Sequence, residues 1–454
     1  MDSYDKKLNS GDSTEIEARK VSSYEYTMVI YGKGHTIKNL TLSGYTASLF
    51  GNVSGNVTVK NLTFDNLTIN VIGPTGALVS SLYENSKARF ENVKIINSKI
   101  TCNEDSPVGG LVGSSNQSRL HIKDCSIENS TIVASSATNV GGIAGYVLNA
   151  VQENSTINNC ENKSTTIKGL KHVGGIVGEY RDTYVDTLCI YGDEVDEEII
   201  EFNNLESFGT IEAIENKTGG IIGNLSFCDD LNIKFVNCKT STSTDGSFLT
   251  DISGVNDVGG ILGSANSNLS ALTVSTGSQI IFNNCENKQM IQGNNNIGGI
   301  VGFIDDKFWD VKFIDCYNNE NIFANSNIGG IAGNIEGSIL GGHQFSFTNC
   351  QNLGSIVGSK EGQYIGGILG YNNKLNPLFT NCKNLGENDE WMSGRMYIGG
   401  ISARYGTFVD CQNTMYIRWS NYANDFQNIW QYVGGIVGSG EGSTFTNCSN
   451  SGLL

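Results

Sequence analysis

The chain has 454 residues, 17% of them charged, and carries a formal net charge of −17 with a pI near 4.7. This charge repels nucleic acid and anionic membrane surfaces, and no run of basic residues in the sequence offsets it. No apolar stretch reaches the roughly 18 residues that cross a bilayer, and the polar start is unlike a signal peptide. We therefore expect no nucleic-acid partner and no direct membrane insertion.

In chain order, a polar N-terminal segment or cap (residues 1–28) precedes one repetitive domain (residues 29–454). The chain contains 56 Gly and only 3 Pro beside abundant Asn, Ser, Thr and Ile, which favours strands and tight turns over helices. Repeats of about 30 residues predict one structural unit stacked on itself.

The first repeated pattern is Gly-Gly-Ile-x-Gly, as in VGGIVG at Val173–Gly178 and Val433–Gly438. Paired glycines allow a close backbone approach or a bulge. A phosphate-binding loop would need a helix after the glycines and a following Lys, and neither is present. The central aliphatic residues are Leu49, Leu78, Leu111, Ile143, Ile176, Ile221, Ile261, Ile300, Ile331, Ile368, Ile401 and Ile436.

The second pattern is an apolar residue, commonly Phe, followed three positions later by Cys or an aliphatic residue, as in FTNC at Phe347–Cys350. Both ends of the pattern are apolar, although an ideal strand would point them to opposite faces. The residue before the Cys position is always Asn or Asp, which tolerate the left-handed conformation that a bend requires. We interpret this column as a structural corner that also hydrogen-bonds along the rod, and a ligand-binding row is the alternative. Its members are Asn61, Asn92, Asp124, Asn159, Asn204, Asn237, Asn284, Asp315, Asn349, Asn381, Asp410 and Asn447.

Nine of the twelve Cys residues share one column with Leu62, Val93 and Leu205. A position that accepts Leu or Val is an inward apolar position, so these Cys are predicted to be buried free thiols. Cys102, Cys189 and Cys228 lie off the column, and the sequence leaves their redox state open.

A third short strand follows each Cys, as in STTIKG at Ser164–Gly169. Three short strands per repeat, with alternating apolar positions, predict an all-β, right-handed parallel β-helix of about 12 turns.

Insertions fall mainly after the Gly-Gly strand, near residues 180–200, 240–256 and 264–278. The first carries an acidic run that is a weak candidate for a divalent-cation site, although a solvated charged loop is the favoured interpretation. The run comprises Asp193, Glu194, Asp196, Glu197 and Glu198.

Catalysis on a β-helix requires acidic or basic groups that converge from neighbouring turns. The His residues fall at unrelated places (His35, His121, His172, His343), and no column of Asp, Lys or Arg appears. The sequence therefore predicts no catalytic residue, no cofactor and no resident metal. A polysaccharide lyase or glycoside hydrolase is the alternative function, because the same architecture hosts such enzymes.

The opening GKGHTIKNLTL at Gly32–Leu42, followed by the repeated VGGIVG and NCEN segments, resembles the GLUG-repeat proteins. The resemblance covers about Val29 to the C-terminus and implies a pectin-lyase-like right-handed β-helix of adhesin-like proteins. It also implies an extracellular or cell-surface location, while the absent signal peptide leaves an intracellular structural role open.

We therefore expect a non-enzymatic scaffold that binds a protein or a glycan through its displayed loops. Self-association is a further possibility, because the last turn, ending in SNSGLL, presents an open parallel edge with no evident cap.

Overall fold

The computed structural model describes residues 15–17, 26–149, 154–182, 199–227, 232–242, 252–267, 279–305, 308, 310–336, 344–373, 376–386, 390–419 and 431–453. These residues form a right-handed parallel β-solenoid of about 11 turns, and none of them is helical. The predicted fold class is confirmed. Within the same ranges no helix could span a membrane.

Each turn contains the three predicted strands, but corners divide two of them. The Gly-Gly strand is interrupted near its aliphatic residue, and the Phe-to-Cys strand is interrupted at the Asn corner. The turn that starts at Val173 therefore contains five short segments.

The third-strand sheet has thirteen strands. They are Glu15–Glu17, Thr41–Gly44, Thr68–Val71, Lys99–Cys102, Thr131–Ala134, Thr166–Gly169, Ile211–Ala213, Ile252–Ser253, Ile291–Gln292, Ile322–Ala324, Ile356–Gly358, Trp391–Gly394 and Tyr416–Trp419.

The Gly-Gly strand builds two sheets. The first has ten strands: Val108–Gly109, Val140–Gly141, Val173–Gly174, Thr218–Gly219, Asn256–Gly259, Asn295–Gly298, Ser326–Gly329, Gln363–Gly366, Met396–Gly399 and Val433–Gly434. The second contains Asn52–Val53, Val79–Leu82, Val112–Lys123, Ala144–Asn149, Val177–Arg181, Ile222–Phe227, Leu262–Ser267, Val301–Ile304, Ala332–Ile335, Leu369–Asn372, Ser402–Arg404 and Val437–Ser439.

The Phe-to-Cys strand also builds two sheets. Before the corner, eight strands pair: Ile199–Asn203, Asn232–Val236, Gln279–Asn283, Asp310–Ile314, Gln344–Thr348, Leu378–Thr380, Thr407–Val409 and Thr444–Thr446. The second sheet contains Tyr26–Lys38, Gly55–Asp65, Lys87–Ile96, Ser126–Glu128, Thr156–Asn158, Glu161–Lys163, Glu206–Phe208, Lys239–Thr240, Glu286–Asn287, Tyr317–Asn318, Gln351–Asn352, Lys383–Asn384, Gln412–Asn413 and Ser449–Asn450. The end of Val112–Lys123 also joins it.

The bend expected between the Phe and Cys positions is present at every Asn or Asp of the corner. All twelve residues have φ between 50° and 56°. Most of their side chains also hydrogen-bond to the neighbouring turn: the Asn349 amide donates to Asp315 (2.9 Å), and the Asn381 amide donates to Asn349 (2.9 Å). An Asp in the corner column cannot donate the next hydrogen bond of this row, since an ionised carboxylate only accepts hydrogen bonds.

The Phe and Cys columns on either side of this corner are both buried except in the last turn, where Phe445 is 51% exposed. Seven consecutive ring pairs, from Phe202–Phe235 to Phe408–Phe445, stack with centroids 4.7–5.2 Å apart. The ten Cys in the described ranges are free thiols, including Cys102, and all except Cys448 are buried. Burial raises the pKa of thiols such as Cys316, which keeps them protonated. Cys189 and Cys228 lie outside the described residues.

A buried Asn column, which the sequence analysis missed, occupies the second position after Cys. The Asn318 amide donates to Asn352 (2.7 Å), and the Asn352 amide donates to Asn384 (2.8 Å) and to the Gly354 carbonyl (2.8 Å). Its fully buried members are Asn162, Asn287, Asn318, Asn352, Asn384 and Asn413, and Ser207 and Thr240 take the same position in two turns.

The paired glycines make room for this buried column. A Cβ on Gly299 would lie 2.6 Å from the Asn318 Cβ and 2.1 Å from the Gly330 carbonyl oxygen. Its neighbour Gly298 would meet the Val301 carbonyl oxygen at 2.1 Å. The Gly-Gly segment on one side of the solenoid therefore packs directly against the Asn-Cys-x-Asn segment on another side.

The Asn349→Ala variant tests the corner. Alanine in the left-handed conformation costs roughly 1–2 kcal/mol, and two side-chain hydrogen bonds are lost at about 1 kcal/mol each. Urea unfolding should show a loss of about 3–4 kcal/mol, and Asn349→Gly should lose less because Gly accepts this φ. A Gly variant that is less stable than the Ala variant would contradict this explanation.

The Asn352→Ala variant tests the buried column. It leaves the Asn318 amide, the Asn384 carbonyl and the Gly354 carbonyl without their partner. An unpaired buried group costs about 1–3 kcal/mol, so this variant should be destabilised more than Asn349→Ala in the same urea titration. Asn352→Thr is the matched control, since Thr240 already occupies this column. A smaller loss for Asn352→Ala than for Asn349→Ala would rule out the proposed importance of the column.

Candidate functional site at the corner before the paired glycines

Two columns of side chains face each other across the Gly-Gly-Ile-x-Gly segment. In each turn, the two facing residues are seven positions apart in the sequence. We call this surface the glycine-corner face. The corner positions are Asn139, His172, Lys217, Asp257, Asn296, Asn327, Tyr364, Tyr397 and Tyr432. The facing positions are Tyr146, Glu179, Asn224, Ser264, Phe303, Asn334, Tyr371, Arg404 and Ser439, and register stacks them turn upon turn. Seven corner residues, His172 to Tyr397, have φ between 47° and 68°.

Toward its N-terminal end this face holds the acid–base group: His172, Glu179, Lys217, Asn224 and Asp257. His172 Nδ1 lies 3.3 Å from Glu179 Oε2, and the Asn224 amide donates to Glu179 Oε1 (2.9 Å). Lys217 Nζ donates to Asn224 Oδ1 (3.1 Å) on the same turn. Hydrogen bonds thus join His172, Glu179, Asn224 and Lys217, while Asp257 follows Lys217 on the next turn of the corner column.

The acid–base group contains three shifted carboxyl or amino groups. Burial raises the pKa of Asp257, only partly opposed by the Asn296 amide that donates to it at 2.8 Å. Burial likewise lowers the pKa of Lys217, against the attraction of Asp257 and Glu179. Burial would also raise the pKa of Glu179, but hydrogen bonds from His172, Asn224 and Ser226 outweigh it and hold this pKa below its usual value.

These opposite shifts have a chemical consequence. A carboxyl that keeps its proton more readily and an amine that loses its proton more readily are suited to proton transfer. Lys217 and Asp257 are both partly exposed, so a substrate can reach them. Among the described residues no group of three or more His, Cys, Asp or Glu is arranged to hold a metal ion.

Toward the C-terminal end the same face becomes aromatic, and we call this the Tyr–Arg group: Tyr364, Tyr371, Tyr397, Arg404, Tyr405 and Tyr432. The corner rings stack along the axis, Tyr364 on Tyr397 at 4.7 Å and Tyr397 on Tyr432 at 4.8 Å between centroids. All six side chains are at least partly exposed, and Tyr432 is 39% exposed.

Arg404 lies among these rings. Its guanidinium carbon is 4.5 Å from the Tyr405 centroid and 5.7–5.8 Å from those of Tyr364, Tyr371 and Tyr397. Its Nη2 donates to the Tyr405 hydroxyl, its Nε is buried without a hydrogen-bond partner, and no carboxylate in the described ranges forms an ion pair with it. An arginine that is held by aromatic rings, is partly exposed and has no carboxylate partner in the described ranges is suited to an incoming anion.

The tyrosines of the corner are also strained. Tyr364 and Tyr397 have φ of 59° and 51°, where five earlier turns use His, Lys, Asp or Asn. A bulky residue in the left-handed region costs about 1–3 kcal/mol. Asn would meet the backbone requirement at lower cost, so the fold alone does not explain these rings.

The predicted Asn corner lies on another side of the solenoid. Asn159, Asn204, Asn237 and Asn284 line a shallow groove of about 500 Å³ together with Glu161, Glu206 and Lys239. Their amides are engaged with one another, as in the 2.7 Å bond from Asn284 to Asn237, which favours the structural interpretation of this column over the binding alternative. The acidic run at residues 193–198 lies outside the described residues, as do most of the three insertions.

Sequence reasoning did not find the glycine-corner face. A column is recognisable in a sequence when one residue type repeats, whereas this face mixes residue types from turn to turn. The signal was the constant spacing of seven residues around each Gly-Gly-Ile-x-Gly segment. His172, which looked isolated in the sequence, is brought to Glu179 by this turn.

Comparison with known proteins carries no argument about this chain. No family profile and no curated protein matches the chain. One solved structure, a protein from Bacteroides ovatus with the provisional name immunoglobulin A1 protease, is 16% identical. The match covers 59% of this chain and 77% of that one with a TM-score of 0.34, so it carries no argument. The family resemblance to GLUG-repeat proteins stays a prediction, while the right-handed β-solenoid is shown.

The Asp257→Asn variant tests the electrostatics of the acid–base group. The carboxyl titrates near 3.8 in the unfolded chain and at a higher pKa in the folded protein, so the wild type loses stability as pH rises through this window. Asn keeps an acceptor for Asn296 and removes the buried charge. The variant should therefore be the more stable protein at neutral pH, with the difference shrinking toward pH 3 in urea titrations. Lower stability of the variant at neutral pH would show that ionised Asp257 is stabilising.

Proposed function

We propose that this protein is a non-enzymatic β-solenoid scaffold that binds an acidic glycan through the Tyr–Arg group. The observation that carries the proposal is Arg404, placed among four tyrosine rings without a carboxylate partner in the described ranges. Tyr and Arg are the residues that contribute most to binding surfaces, and this group joins them over three turns.

The arrangement favours an extended ligand that lies along the solenoid axis. Because stacking repeats the tyrosines every 4.7–4.8 Å, such a ligand meets one ring per turn. The stacked rings offer edges and hydroxyls along the side, which suits sugar hydroxyls, while the outer tyrosine, Tyr432, has an exposed surface for a sugar ring. A carboxylate on the glycan would pair with the guanidinium of Arg404.

Isothermal titration calorimetry with oligogalacturonate, compared with the uncharged oligomer of the same length, tests this function. Arg404→Gln should weaken binding of the acidic ligand about tenfold or more, since a charge-assisted hydrogen bond contributes about 1.5–3 kcal/mol. In the same variant, the preference of the protein for the acidic oligomer over the uncharged one should disappear.

Tyr397→Asn should weaken both ligands while leaving the protein at least as well folded, because Asn occupies the same corner at positions 296 and 327. Tyr83→Ala, which removes a ring that is 41% exposed on a distant turn, is the matched control and should bind normally. Unchanged affinity in both Arg404→Gln and Tyr397→Asn would refute the site. Tighter binding of an acidic peptide than of any glycan would refute the ligand class.

A polysaccharide-active enzyme is the second candidate, favoured by the opposite pKa shifts of Lys217 and Asp257 in the acid–base group. It predicts that polygalacturonate is shortened by the wild type and that Lys217→Met abolishes the activity. A polymer whose length distribution is unchanged after prolonged incubation would exclude this activity for that substrate.

Display at the cell surface is part of the proposal and is supported by the resemblance to GLUG-repeat proteins. Assembly through the last turn stays a prediction.

A further inference from the structure

The acid–base group holds an amine against a carboxamide, two functional groups that can join covalently. Lys217 Nζ donates to Asn224 Oδ1 at 3.1 Å, and the carbonyl carbon of this amide is bonded directly to that oxygen. The two residues belong to one turn and lie on either side of the Gly-Gly-Ile-Ile-Gly segment. Among the turns that define the glycine-corner face, no other sets a Lys opposite an Asn.

Three neighbours hold the Asn224 carboxamide in place. Its nitrogen donates to Glu179 Oε1 (2.9 Å) and to the Ser226 hydroxyl (2.9 Å). Its oxygen accepts a hydrogen bond from the Asn266 amide (2.8 Å). The side chain is 1% exposed, so water competes little for these bonds. The amide is therefore fixed in orientation beside Lys217.

Lys217 is in a state that suits a nucleophile. Burial lowers the pKa of its amine, so a larger fraction of the amine is neutral than in an exposed lysine. No carboxylate in the described ranges forms an ion pair with Nζ. The backbone of Lys217 has φ of 68°, a conformation that Asn or Asp adopts more readily. The solenoid alone does not explain a lysine at this corner.

We propose that Lys217 and Asn224 join in an intramolecular isopeptide bond. The neutral Nζ of Lys217 attacks the carbonyl carbon of Asn224 and forms a new C–N bond. The bond from this carbon to Nδ2 then breaks, and the nitrogen leaves as ammonia. The lysine nitrogen loses one proton and the departing nitrogen gains one, so the reaction needs no oxidant, reductant or cofactor.

Glu179 and Asn266 are placed to assist this reaction. The Asn266 amide already donates to the oxygen on which negative charge develops during the attack. Glu179 Oε1 is hydrogen-bonded to the departing nitrogen, so its carboxylate can take up the proton that Lys217 sheds and pass it to that nitrogen. Nucleophile, amide, oxyanion donor and proton carrier thus come from three successive turns.

The bond would close a covalent ring across the glycine corner and brace one turn of the solenoid. A linked Lys217 has no free amine, so this inference excludes the polysaccharide-cleaving alternative, which requires that amine. It is independent of glycan binding by the Tyr–Arg group, which shares no residue with this site.

Mass spectrometry of the full chain tests the bond directly. The folded protein is incubated at mildly alkaline pH, unfolded in urea and digested with trypsin, which does not cut after an acylated lysine. The linked chain should yield residues 182–234 as one peptide that is lighter than its sequence by one ammonia. An unlinked chain yields residues 182–217 and 218–234 as separate peptides at their sequence masses.

Glu179→Gln tests the proton carrier, because the variant keeps both reacting groups. Freshly purified Glu179→Gln protein should contain mostly the two separate peptides. Glu215→Gln is the matched control, since this exposed carboxylate lies on the same corner two residues before Lys217, and it should be linked as fully as the wild type. Lys217→Arg should show no loss of ammonia, because a guanidinium is not nucleophilic.

Three outcomes would count against the proposal. Separate peptides at their sequence masses in the wild type, unchanged after prolonged incubation, would overturn it. An ammonia loss confined to residues 218–234 would also overturn it, because Asn224 would then have closed on its own backbone while Lys217 stayed free. Full linkage in Glu179→Gln would refute the role of Glu179. Far-UV circular dichroism confirms that each variant is folded.

Discussion

The left-handed bend at one Asn or Asp in each turn is the constraint on which the rest of the structure depends. It points the Phe before it and the Cys after it into the same interior, although they are three positions apart. The amides at the bend then tie one turn to the next. Once this corner recurs at a fixed place, the aromatic stack, the thiol column and the parallel strand register follow from it.

The interior depends on a second match between distant parts of each repeat. The paired glycines leave the space that the buried polar column fills, so a side chain at the second glycine would collide with that column. This explains why the glycines recur with so little variation, while Ser207 and Thr240 replace Asn in two turns. The outward positions are not bound by this match, and it is there that the chain varies from turn to turn. The acid–base group and the Tyr–Arg group both consist of residues that the solenoid does not need.

The sequence was sufficient for the fold because the architectural residues repeat locally, so Asn349 or Cys350 can be recognised from its neighbours. It was insufficient for the buried Asn352, since a polar side chain suggests the surface until its partners Asn318 and Asn384 are known. The candidate sites were harder still. Tyr364 and Tyr397 become neighbours only when the turns stack, and Glu179 meets His172 only because the glycine corner folds the chain back.

The most direct test of the left-handed corner is the distance between two outward positions separated by several turns. Glu201 and Leu378 occupy the same register position on strands that are five strand spacings apart. The intermediate positions are Lys234, Ile281, Lys312 and Ser346. At about 4.8 Å per step, spin labels attached through unnatural amino acids should show one narrow distance near 24 Å by pulsed electron resonance. A broad distribution, or a single distance far from this value, would contradict a solenoid whose corners hold every turn in register.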